Sequence, residues 1–389
     1  MNSKVTFFPV DNGDMTLIKL SDTNSTTLLI DCNIRQAADN PNDTAPDVAK
    51  SLRSKIGTDT NNRPFIDAML LSHPDEDHCR GIEKHFWLGS IDDYPDDGKE
   101  QNEKRIIIRQ IWSSPMVFRR ASTNHTLCKD AKAFNKEAKR RVKKFKENPG
   151  DIKDGDKILI LGEDENGKTD HLGQILIKRG EEIDGINSQA VGFISSQLLA
   201  PLSKQEATTE DEVTKNNSSV IMRFTIRNTQ NSQYKGYFLT GGDAGVYIWE
   251  KIWELYQPEE LEYNLLLAPH HCSWRSLSYD SWSENGEAAK ISNDARNALG
   301  QAKFGALIVS SSKAIADDDS DPPCVRARRE YKEIIAGCDG SFKCTGESPS
   351  KTNPMPINIE WRGACFVVCA TSSASAVAAE STPPRAGGI

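Results

Sequence analysis

Two histidines and three acidic residues occupy five of the six positions from His73 to His78, in the order HPDEDH. If the chain stays extended there, side chains 73, 75 and 77 project to one side, because side chains of extended backbone alternate with a period of two. Carboxylates this close repel each other and raise each other's pKa unless a cation lies between them. Imidazole with carboxylate suits Zn²⁺, Mn²⁺ or Fe²⁺, so the stretch predicts a divalent-metal site.

Two later segments also place metal-binding residue types directly after strand-like runs. Asp243 follows "GYFLTGG", where glycine permits close backbone approach, and His270 and His271 follow "YNLLLAP". Only seven histidines exist in the chain, and four of them stand in the first and last of these three segments. Side chains at the ends of three separated strands indicate one site that rigid strands bring together.

The elements that must position these residues are mostly short strands. Aliphatic runs between turn residues predict strands, with one helix near 45–55. Further helices are predicted at "GIEKHFWLG", at 129–147, at about 285–302, and after Pro322 and Pro323, where Asp321 is the expected N-cap. Helices falling between strands in both halves predict an α/β (α+β) fold in which sheets pack against helices. The predicted strands are "KVTFFPV", "MTLIKL", "TTLLID", "IDAMLLS", "RIIIRQIWSS", "DKILIL", "QILIKR", "SVIMRFTI", "GYFLTG", "YNLLLAP", "FGALIVSSS", "INIEW" and "ACFVVCA".

The helix at 129–147 has an unusual charge. Its sequence, "KDAKAFNKEAKRRVKKFKE", holds nine Lys or Arg and three acidic residues, a net charge of 9 − 3 = +6, whereas the whole chain carries −8. Apolar residues recur every three or four positions, which is typical of an amphipathic helix with one buried stripe. The basic face is either a solvated surface or a contact surface for a phosphate backbone.

Composition places the 389-residue chain among ordinary globular proteins, with 37% hydrophobic and 27% charged residues. No stretch is long and apolar enough for a membrane span, and the amino terminus does not resemble a secretory signal. The nine cysteines include no C-x-x-C pair, which favours a reducing cytoplasmic setting. A zinc cluster of Cys324, Cys338 and Cys344 is an open alternative, and residues 371–389 are expected to form a flexible tail.

The segments "SHPDEDHCRG", "FLTGGDAG" and "LAPHHCS", in this order, resemble the metallo-β-lactamase fold, and most closely its ComEC (competence-protein) type. An early glycine-rich turn in "FFPVDNGDMTLI" adds to the resemblance. It implies a four-layer αββα sandwich over residues 1–370, with insertions at about 90–155 and 275–302. It also implies a hydrolase with two divalent ions, zinc or manganese. The membrane channel that accompanies the ComEC-type domain has no counterpart in this sequence, so no membrane domain is expected.

The resemblance also implies a role for each residue of the three segments. The 73/75 pair would bind one ion and the 77/78 pair the other, while His270 is either a further ligand or a phosphate contact. The implied metal ligands are His73, Asp75, Asp77, His78, Asp243 as the bridge, and His271. The implied catalytic residues are Asp77, Asp243 and His270.

Three departures from the family pattern bear on function. Asp75 stands where many lactamases have histidine, which argues against β-lactam cleavage and favours phosphoester chemistry. Cys272 replaces the usual glycine, so either the turn is reshaped or a thiol lies near the metals. The family's additional histidine has no clear counterpart, although His125 and His171 are available.

The expected function is that of a metal-dependent phosphodiesterase, most simply a nuclease acting on DNA or RNA. Trp274, Tyr279 and Trp282 either stack on bases or, as the alternative, pack an insertion onto the body of the fold. Similar standalone proteins occur in bacterial antiviral defence operons, so the resemblance also implies a protein partner. The alternatives are a hydrolase of small phosphodiesters or nucleotides, and a catalytically degenerate binding subunit.

Overall fold

The structure is a computed structural model that describes residues 2–40, 42–115, 127–163, 167, 169–202 and 218–370. His125, the polar segment 203–217 and the predicted tail at 371–389 lie outside the described residues. Among the helices of the described chain, none has the length and apolar character that crossing a membrane requires.

Twenty strands form two large sheets and one short ribbon, all within the described residues. They are β1 Lys4–Phe7, β2 Thr16–Lys19, β3 Thr27–Ile30, β4 Gly57–Thr58, β5 Pro64–Leu71, β6 Phe86–Trp87, β7 Ile106–Ser113, β8 Lys157–Leu161, β9 Leu176–Ile177, β10 Glu182–Asp184, β11 Ile194–Ala200, β12 Ile221–Ile226, β13 Gly236–Thr240, β14 Tyr263–Leu267, β15 Ala302–Ser310, β16 Ser341–Cys344, β17 Pro349–Ser350, β18 Asn353–Pro354, β19 Ile357–Trp361 and β20 Phe366–Val368.

Helices join many of these strands, and several are a single turn. They are α1 Val48–Arg53, α2 Glu76–Cys79, α3 Ile82–His85, α4 Lys129–Glu147, α5 Val246–Leu255, α6 Pro258–Leu261, α7 Pro269–Cys272, α8 Trp282–Asn285, α9 Asn293–Leu299 and α10 Val325–Ala336.

The first sheet has the order β20-β19-β1-β2-β3-β5-β7-β8-β9, with β4 paired to β5 and β6 to β7. The second sheet has the order β10-β11-β12-β13-β14-β15-β16, and β17 pairs only with β18. Strands β3, β5, β7 and β8 are mutually parallel, as are β13, β14, β15 and β16. Because parallel neighbours end at one edge, each sheet gathers several loops at the carboxyl ends of its strands.

Apolar side chains form three buried clusters around these sheets. One cluster joins residues of both sheets, such as Val5, Ile18, Met222 and Leu265, so the two sheets face each other. A second cluster combines the first sheet with α1, α3 and α4. A third combines the second sheet with α5, α9 and α10. The prediction of an α/β fold with sheets packed against helices is therefore confirmed.

Helix α4 has the bounds that its periodicity predicts. Its apolar stripe packs in the second of these clusters, and the Cys128 Sγ caps its start by accepting from the Ala131 N–H at 3.3 Å. The predicted insertion at 90–155 contains α4 and also β7, which pairs with β5 on one side and with β8 on the other. The segment thus contributes one of the central strands of the first sheet.

Three predicted helices differ in extent from the structure. The helix expected at "GIEKHFWLG" is one turn, because Phe86 and Trp87 leave it to pair with β7. The helix expected at 285–302 is shorter, since the chain between α8 and α9 is irregular and residue 302 already belongs to β15. Helix α10 begins at Val325 rather than beside Asp321, whose carboxylate instead accepts from Ser273 Oγ and the Trp274 N–H.

Candidate metal centre

The loops that carry the site residues meet at the carboxyl ends of four strands, β1, β5, β13 and β14. Asp14 lies in the turn between β1 and β2, and the stretch from His73 to His78 follows β5. Asp243 follows β13, and the 270/271 pair follows β14. Because β5 belongs to the first sheet and β13 and β14 to the second, the site lies where the two sheets share an edge.

Four buried residues offer ligand atoms that all lie within 4.8 Å of one another. They are Asp14, His78, Asp243 and His271. Two carboxylates and two imidazoles at this spacing match the donor set of a divalent transition metal. Three of the four belong to the ligands that the sequence predicts, and Asp14 is an addition.

Five buried polar atoms at this place make no hydrogen bond in the described structure: Asp14 Oδ1, His73 Nε2, His78 Nε2, Asp243 Oδ1 and His271 Nδ1. Buried polar atoms without partners cost free energy, about 1–3 kcal/mol each, and more when they are charged. Several of them converging on one point is the arrangement that a bound cation would stabilise. The donor set therefore fits a metal ion.

The two carboxylate oxygens of Asp243 face different histidines. Oδ1 lies 3.0 Å from His78 Nε2 and 3.5 Å from His271 Nε2. Oδ2 lies 3.6 Å from both His73 Nε2 and His270 Nε2. Asp243 therefore stands between two groups of imidazoles, which is the position expected of a bridging ligand.

Asp75 and Asp77 lie at the outer margin of the site. Asp75 Oδ2 is 3.8 Å from His73 Nε2, on the same side as Asp243 Oδ2. Asp77 Oδ2 is 3.2 Å from His271 Nε2, on the opposite side. Their side chains are 26% and 35% exposed, whereas those of His73, His78 and His271 are at most 1% exposed. The site is therefore open along the side of the two aspartates.

A buried hydrogen-bond chain behind the site orients two of the histidines. Asp31 Oδ2 lies 2.8 Å from His78 Nδ1 and accepts from Ser72 Oγ at 2.6 Å. Since the hydroxyl proton of Ser72 goes to the carboxylate, its oxygen accepts from His73 Nδ1 at 3.0 Å. With both Nδ1 atoms used as donors, the Nε2 atoms of His73 and His78 keep lone pairs directed into the site.

The charges of the site favour positive groups inside it. Burial lowers the pKa of His78 and His271, but neighbouring carboxylates, Asp243 foremost, outweigh burial and raise both, that of His271 to about 10. Burial raises the pKa of Asp243, yet the nearby histidines hold it well below its ordinary value. The pKa of His270 moves the other way: burial lowers it, and the carboxylate of Asp243 does not outweigh burial there. The carboxylates thus attract cationic charge, which a divalent ion supplies without protons.

The 270–272 turn has an uncommon backbone conformation. His270, His271 and Cys272 have φ angles of 50°, 53° and 68°, in the left-handed region that glycine favours. Such angles in residues other than glycine cost roughly 1 kcal/mol or more each and concentrate at functional sites. They direct His270 and His271 toward opposite oxygens of Asp243.

Cys272, at the position where the resemblance in sequence would expect glycine, has the backbone conformation that glycine favours. The Cys272 side chain is fully buried in the third apolar cluster, and burial raises its pKa well above the ordinary value. Cys272 is also not among the grouped ligand residues. A neutral, core-packed thiol does not take part in the site.

Two glycines allow the site loops to approach closely. A Cβ on Gly13 would lie 2.0 Å from Asn33 Nδ2 and 2.7 Å from the Asp77 carbonyl oxygen. Gly242 has φ 48°, and its Cβ would lie 3.0 Å from Ser72 Oγ. The first glycine brings Asp14 beside the 73–78 loop, and the second brings Asp243 there.

Several sequence expectations end differently in the structure. His171 is exposed and is not among the grouped ligand residues. Trp274 and Trp282 pack in the third apolar cluster, so they cannot stack on bases in this conformation; Tyr279 is exposed. The cysteine trio at 324, 338 and 344 does not form a metal-binding group among the described residues.

Asp14, Asp31 and Ser72 were missed as site residues. Asp31 and Ser72 each follow a strand-like run directly, which is the same signal that singled out Asp243. Asp14 follows a glycine in the early turn that contributes to the family resemblance. Each signal was present, but Asp14 and Asp31 lie outside the three segments rich in ligand residues, and serine is not a usual metal ligand.

Neither a family model nor a curated protein matches this chain.

Proposed function

We propose that this protein is a metal-dependent phosphodiesterase whose candidate metal centre holds two divalent ions, zinc or manganese, and whose substrate is a nucleic acid. One observation carries the proposal: buried nitrogen and oxygen atoms that make no hydrogen bond of acceptable geometry in the described structure converge at Asp243, whose two oxygens face separate sets of histidines. We further propose that the fold is a four-layer αββα sandwich of the metallo-β-lactamase type, since the three apolar clusters alternate with two facing sheets.

The residues divide into two groups around Asp243. His73, Asp75 and His270 would hold the ion at Asp243 Oδ2, and His78, His271 and Asp14 the ion at Oδ1. Asp77 contacts the second group through His271. When bound, divalent ions lower the pKa of a coordinated water to about 7 and neutralise charge on a phosphate.

The chain's own residues then bind and orient the substrate. Asp75, Asp77 and His270 are the partly exposed members of the site, so a phosphodiester approaches along their side. Burial lowers the pKa of His270, which favours the neutral imidazole that a metal ligand requires. Asp77 positions the attacking water, and Asp31 keeps His78 directed into the site.

Carboxylates dominate this edge of the molecule, so cations are needed before a phosphodiester can bind there. Without them, Asp14, Asp75, Asp77 and Asp243 would repel a phosphodiester that carries one negative charge. Two bound divalent ions would contribute +4 and so offset the four negative charges of these aspartates. They would thereby remove the repulsion and supply cationic centres for the phosphate oxygens.

The test is a substrate screen with purified protein. DNA, RNA, and cyclic and linear nucleotides are incubated with Mn²⁺ or Zn²⁺, and bound metal is counted by mass spectrometry. The expected result is two equivalents of metal and cleavage of a phosphodiester that falls at least 100-fold in Asp77→Ala. Asp93→Ala, an exposed aspartate outside the site, serves as the matched control and retains activity.

Three outcomes would contradict this proposal or part of it. Protein that binds no metal under any condition would indicate a binding subunit rather than an enzyme. Equal cleavage by the parent and Asp77→Ala would remove Asp77 from the catalytic group. Cleavage of nucleotides with no cleavage of any polymer would replace nucleic acid by small phosphodiesters as the substrate.

A further inference from the structure

One face of helix α4 presents a row of six lysines, here called the lysine row. At 3.6 residues per turn, their positions fall within about 100° around the helix axis. All are exposed, with side-chain exposures of 83% for Lys129 and 77% for Lys143. The row spans 17 residues, about 25 Å at 1.5 Å per residue. Its members are Lys129, Lys132, Lys136, Lys139, Lys143 and Lys146.

Most of this charge is not neutralised by the protein. Lys129 pairs with Glu83 and Lys143 with Glu147, but the other four lysines of the row form no ion pair with any described residue. The chain as a whole carries a charge of −8. A local row of unpaired ammonium groups on an acidic protein is complementary to a polyanion rather than to the protein's own surface.

A groove of about 510 Å³ runs beside the first half of the row. Lys132 and Lys136 line it on the helix side, and Arg105, Phe86 and Leu88 line it on the side of β6. Lys129 and Arg140 also line the groove, as do the carboxylates of Glu83 and Glu137. Arg105 pairs with Asp96, Arg140 with Glu137 and Lys129 with Glu83, so Lys132 and Lys136 are the lining cations that no described residue pairs. The groove therefore provides a concave, mainly cationic path next to α4, with some apolar surface.

The row begins beside the loop that carries the metal ligands. The Asp130 carboxylate accepts from the Gly81 N–H at 3.1 Å and from the Glu83 N–H at 2.8 Å, just after His78. Farther along the helix, Arg141 donates to the carbonyl oxygens of Ile108 and Lys157, near the starts of β7 and β8. These strands end at the edge of the sheets where the candidate metal centre lies, here called the metal edge. Helix α4 therefore runs from the metal edge toward the opposite edge of the first sheet.

We propose that the lysine row binds the backbone of a nucleic-acid strand whose scissile phosphate lies in the metal centre, so that the preferred substrate is a polymer. This inference rests on the proposed function for the cleavage step only. Stacked nucleotides advance 3.4 Å per residue of one strand, so 25 Å of lysines follows about seven nucleotides. Contacts to phosphate position the strand without reading its sequence.

The experiment compares two triple variants of equal charge. Lys132→Glu/Lys136→Glu/Lys139→Glu reverses the centre of the row, whereas Lys50→Glu/Lys235→Glu/Lys332→Glu reverses three exposed lysines elsewhere. Each changes the net charge by −6. Binding of fluorescent single-stranded oligonucleotides of 4, 8, 12 and 24 nucleotides is measured by anisotropy over a range of salt concentrations. Cleavage of a 24-mer and of bis(p-nitrophenyl) phosphate is measured with Mn²⁺.

For the parent protein, affinity is expected to rise with length up to about ten nucleotides. In the row variant, the Kd for the 24-mer rises at least tenfold and the slope of log Kd against log salt falls by about two, since each lost phosphate contact removes roughly 0.7. KM for the 24-mer rises with little change in kcat, and cleavage of the small diester is unchanged. The control variant keeps the parent's Kd within about threefold.

Different failures of this experiment are distinguishable. A row variant that binds the 24-mer as tightly as the parent, or no more weakly than the control variant, overturns the inference, as does competition by polyglutamate equal to that by nucleic acid. A parent that cleaves neither substrate contradicts the proposed function. The anisotropy titrations still decide the role of the lysine row in that case, because binding needs no catalysis.

Discussion

Charged groups are buried in two regions of this protein, and the two regions satisfy them differently. Beneath α4, the fully buried guanidinium of Arg141 donates to Glu137 Oε1 at 2.8 Å and to backbone carbonyls of β7 and β8. Arg140 completes this charged network through Glu137 and Asp156. At the metal edge, by contrast, carboxylate and imidazole atoms are buried without hydrogen-bond partners.

The contrast separates structural from functional burial of charge. The network below α4 is complete in the polypeptide alone, so its charges hold the helix on the sheet and have no capacity left for a ligand. The metal edge is incomplete in the polypeptide alone, and its open coordination defines what it can bind. Buried charge is common to both regions, and unsatisfied lone pairs distinguish the site.

The largest expected effect tests the complete network. Arg141→Met should lower the free energy of unfolding by about 3 kcal/mol, because it leaves buried carbonyls and a carboxylate without a donor. Urea unfolding checks this, with Lys143→Met on the exposed face of the same helix as the control, expected within about 0.5 kcal/mol of the parent. If the loss of unfolding free energy in Arg141→Met differs with and without Mn²⁺, the network beneath α4 and the metal edge are not independent.

A second prediction concerns the incomplete region. With metal at 100 times its Kd, the parent should gain about 2.7 kcal/mol of stability, and Asp243→Asn should gain almost none, because the bridging carboxylate is lost. Thermal unfolding with and without added Mn²⁺ or Zn²⁺ measures both gains. Equal metal-dependent gains in the parent and the variant would exclude Asp243 as a ligand.

A third prediction sharpens the comparison with two buried aspartates. Asp31→Asn should weaken metal affinity by roughly 10- to 100-fold, since Asp31 fixes the orientation of His78 from behind. Asp67→Asn should leave metal affinity unchanged, because Asp67 bonds Thr27 and Arg109 away from the site. Competition with a chromophoric chelator measures both affinities, and parallel losses would indicate a general effect of burying an amide.

The smallest expected effect is a pH dependence in a second complete network. Hydrogen bonds from Arg105 hold the pKa of Asp96 well below its ordinary value, so Asp96 stabilises the fold above about pH 4 and this stabilisation is lost as the pH falls further. Asp96→Asn should therefore cost about 1 kcal/mol at pH 7, and the difference from the parent should shrink below pH 4. Urea unfolding at pH 7, 4 and 3 measures it. A difference that does not change with pH would point to packing instead of charge.

Much of the fold could be predicted because its signals are local. The period of apolar residues in 129–147 sets both ends of α4, and the aliphatic runs before His73, Asp243 and His270 correspond to β5, β13 and β14. The helix predicted at 285–302 was less accurate, because the pairing of Ala302 with Tyr263 in a parallel strand outweighs helical propensity there. Boundaries failed where a distant segment competed for the same backbone.

In the candidate site, too, local signals could be predicted from the sequence and contacts between distant segments could not. The 73–78 stretch concentrates two ligand types in six residues, so its chemistry is visible in the sequence. Asp14 and Asp31 stand alone in sequence and become site residues only through their distances to His271 and His78. The aromatic residues after the histidine pair show the reverse, since Trp274 and Trp282 are core residues in the structure.

The sequence by itself determined which side chains could bind a metal and which strands would carry them, because residue chemistry and strand periodicity are local properties. The tertiary structure alone decided which oxygen of Asp243 faces which histidine, and which buried charges are already satisfied. Those facts depend on segments as far apart as Asp14 and His271, 257 residues, meeting at one edge of two sheets, and such pairings are set by packing of the whole chain.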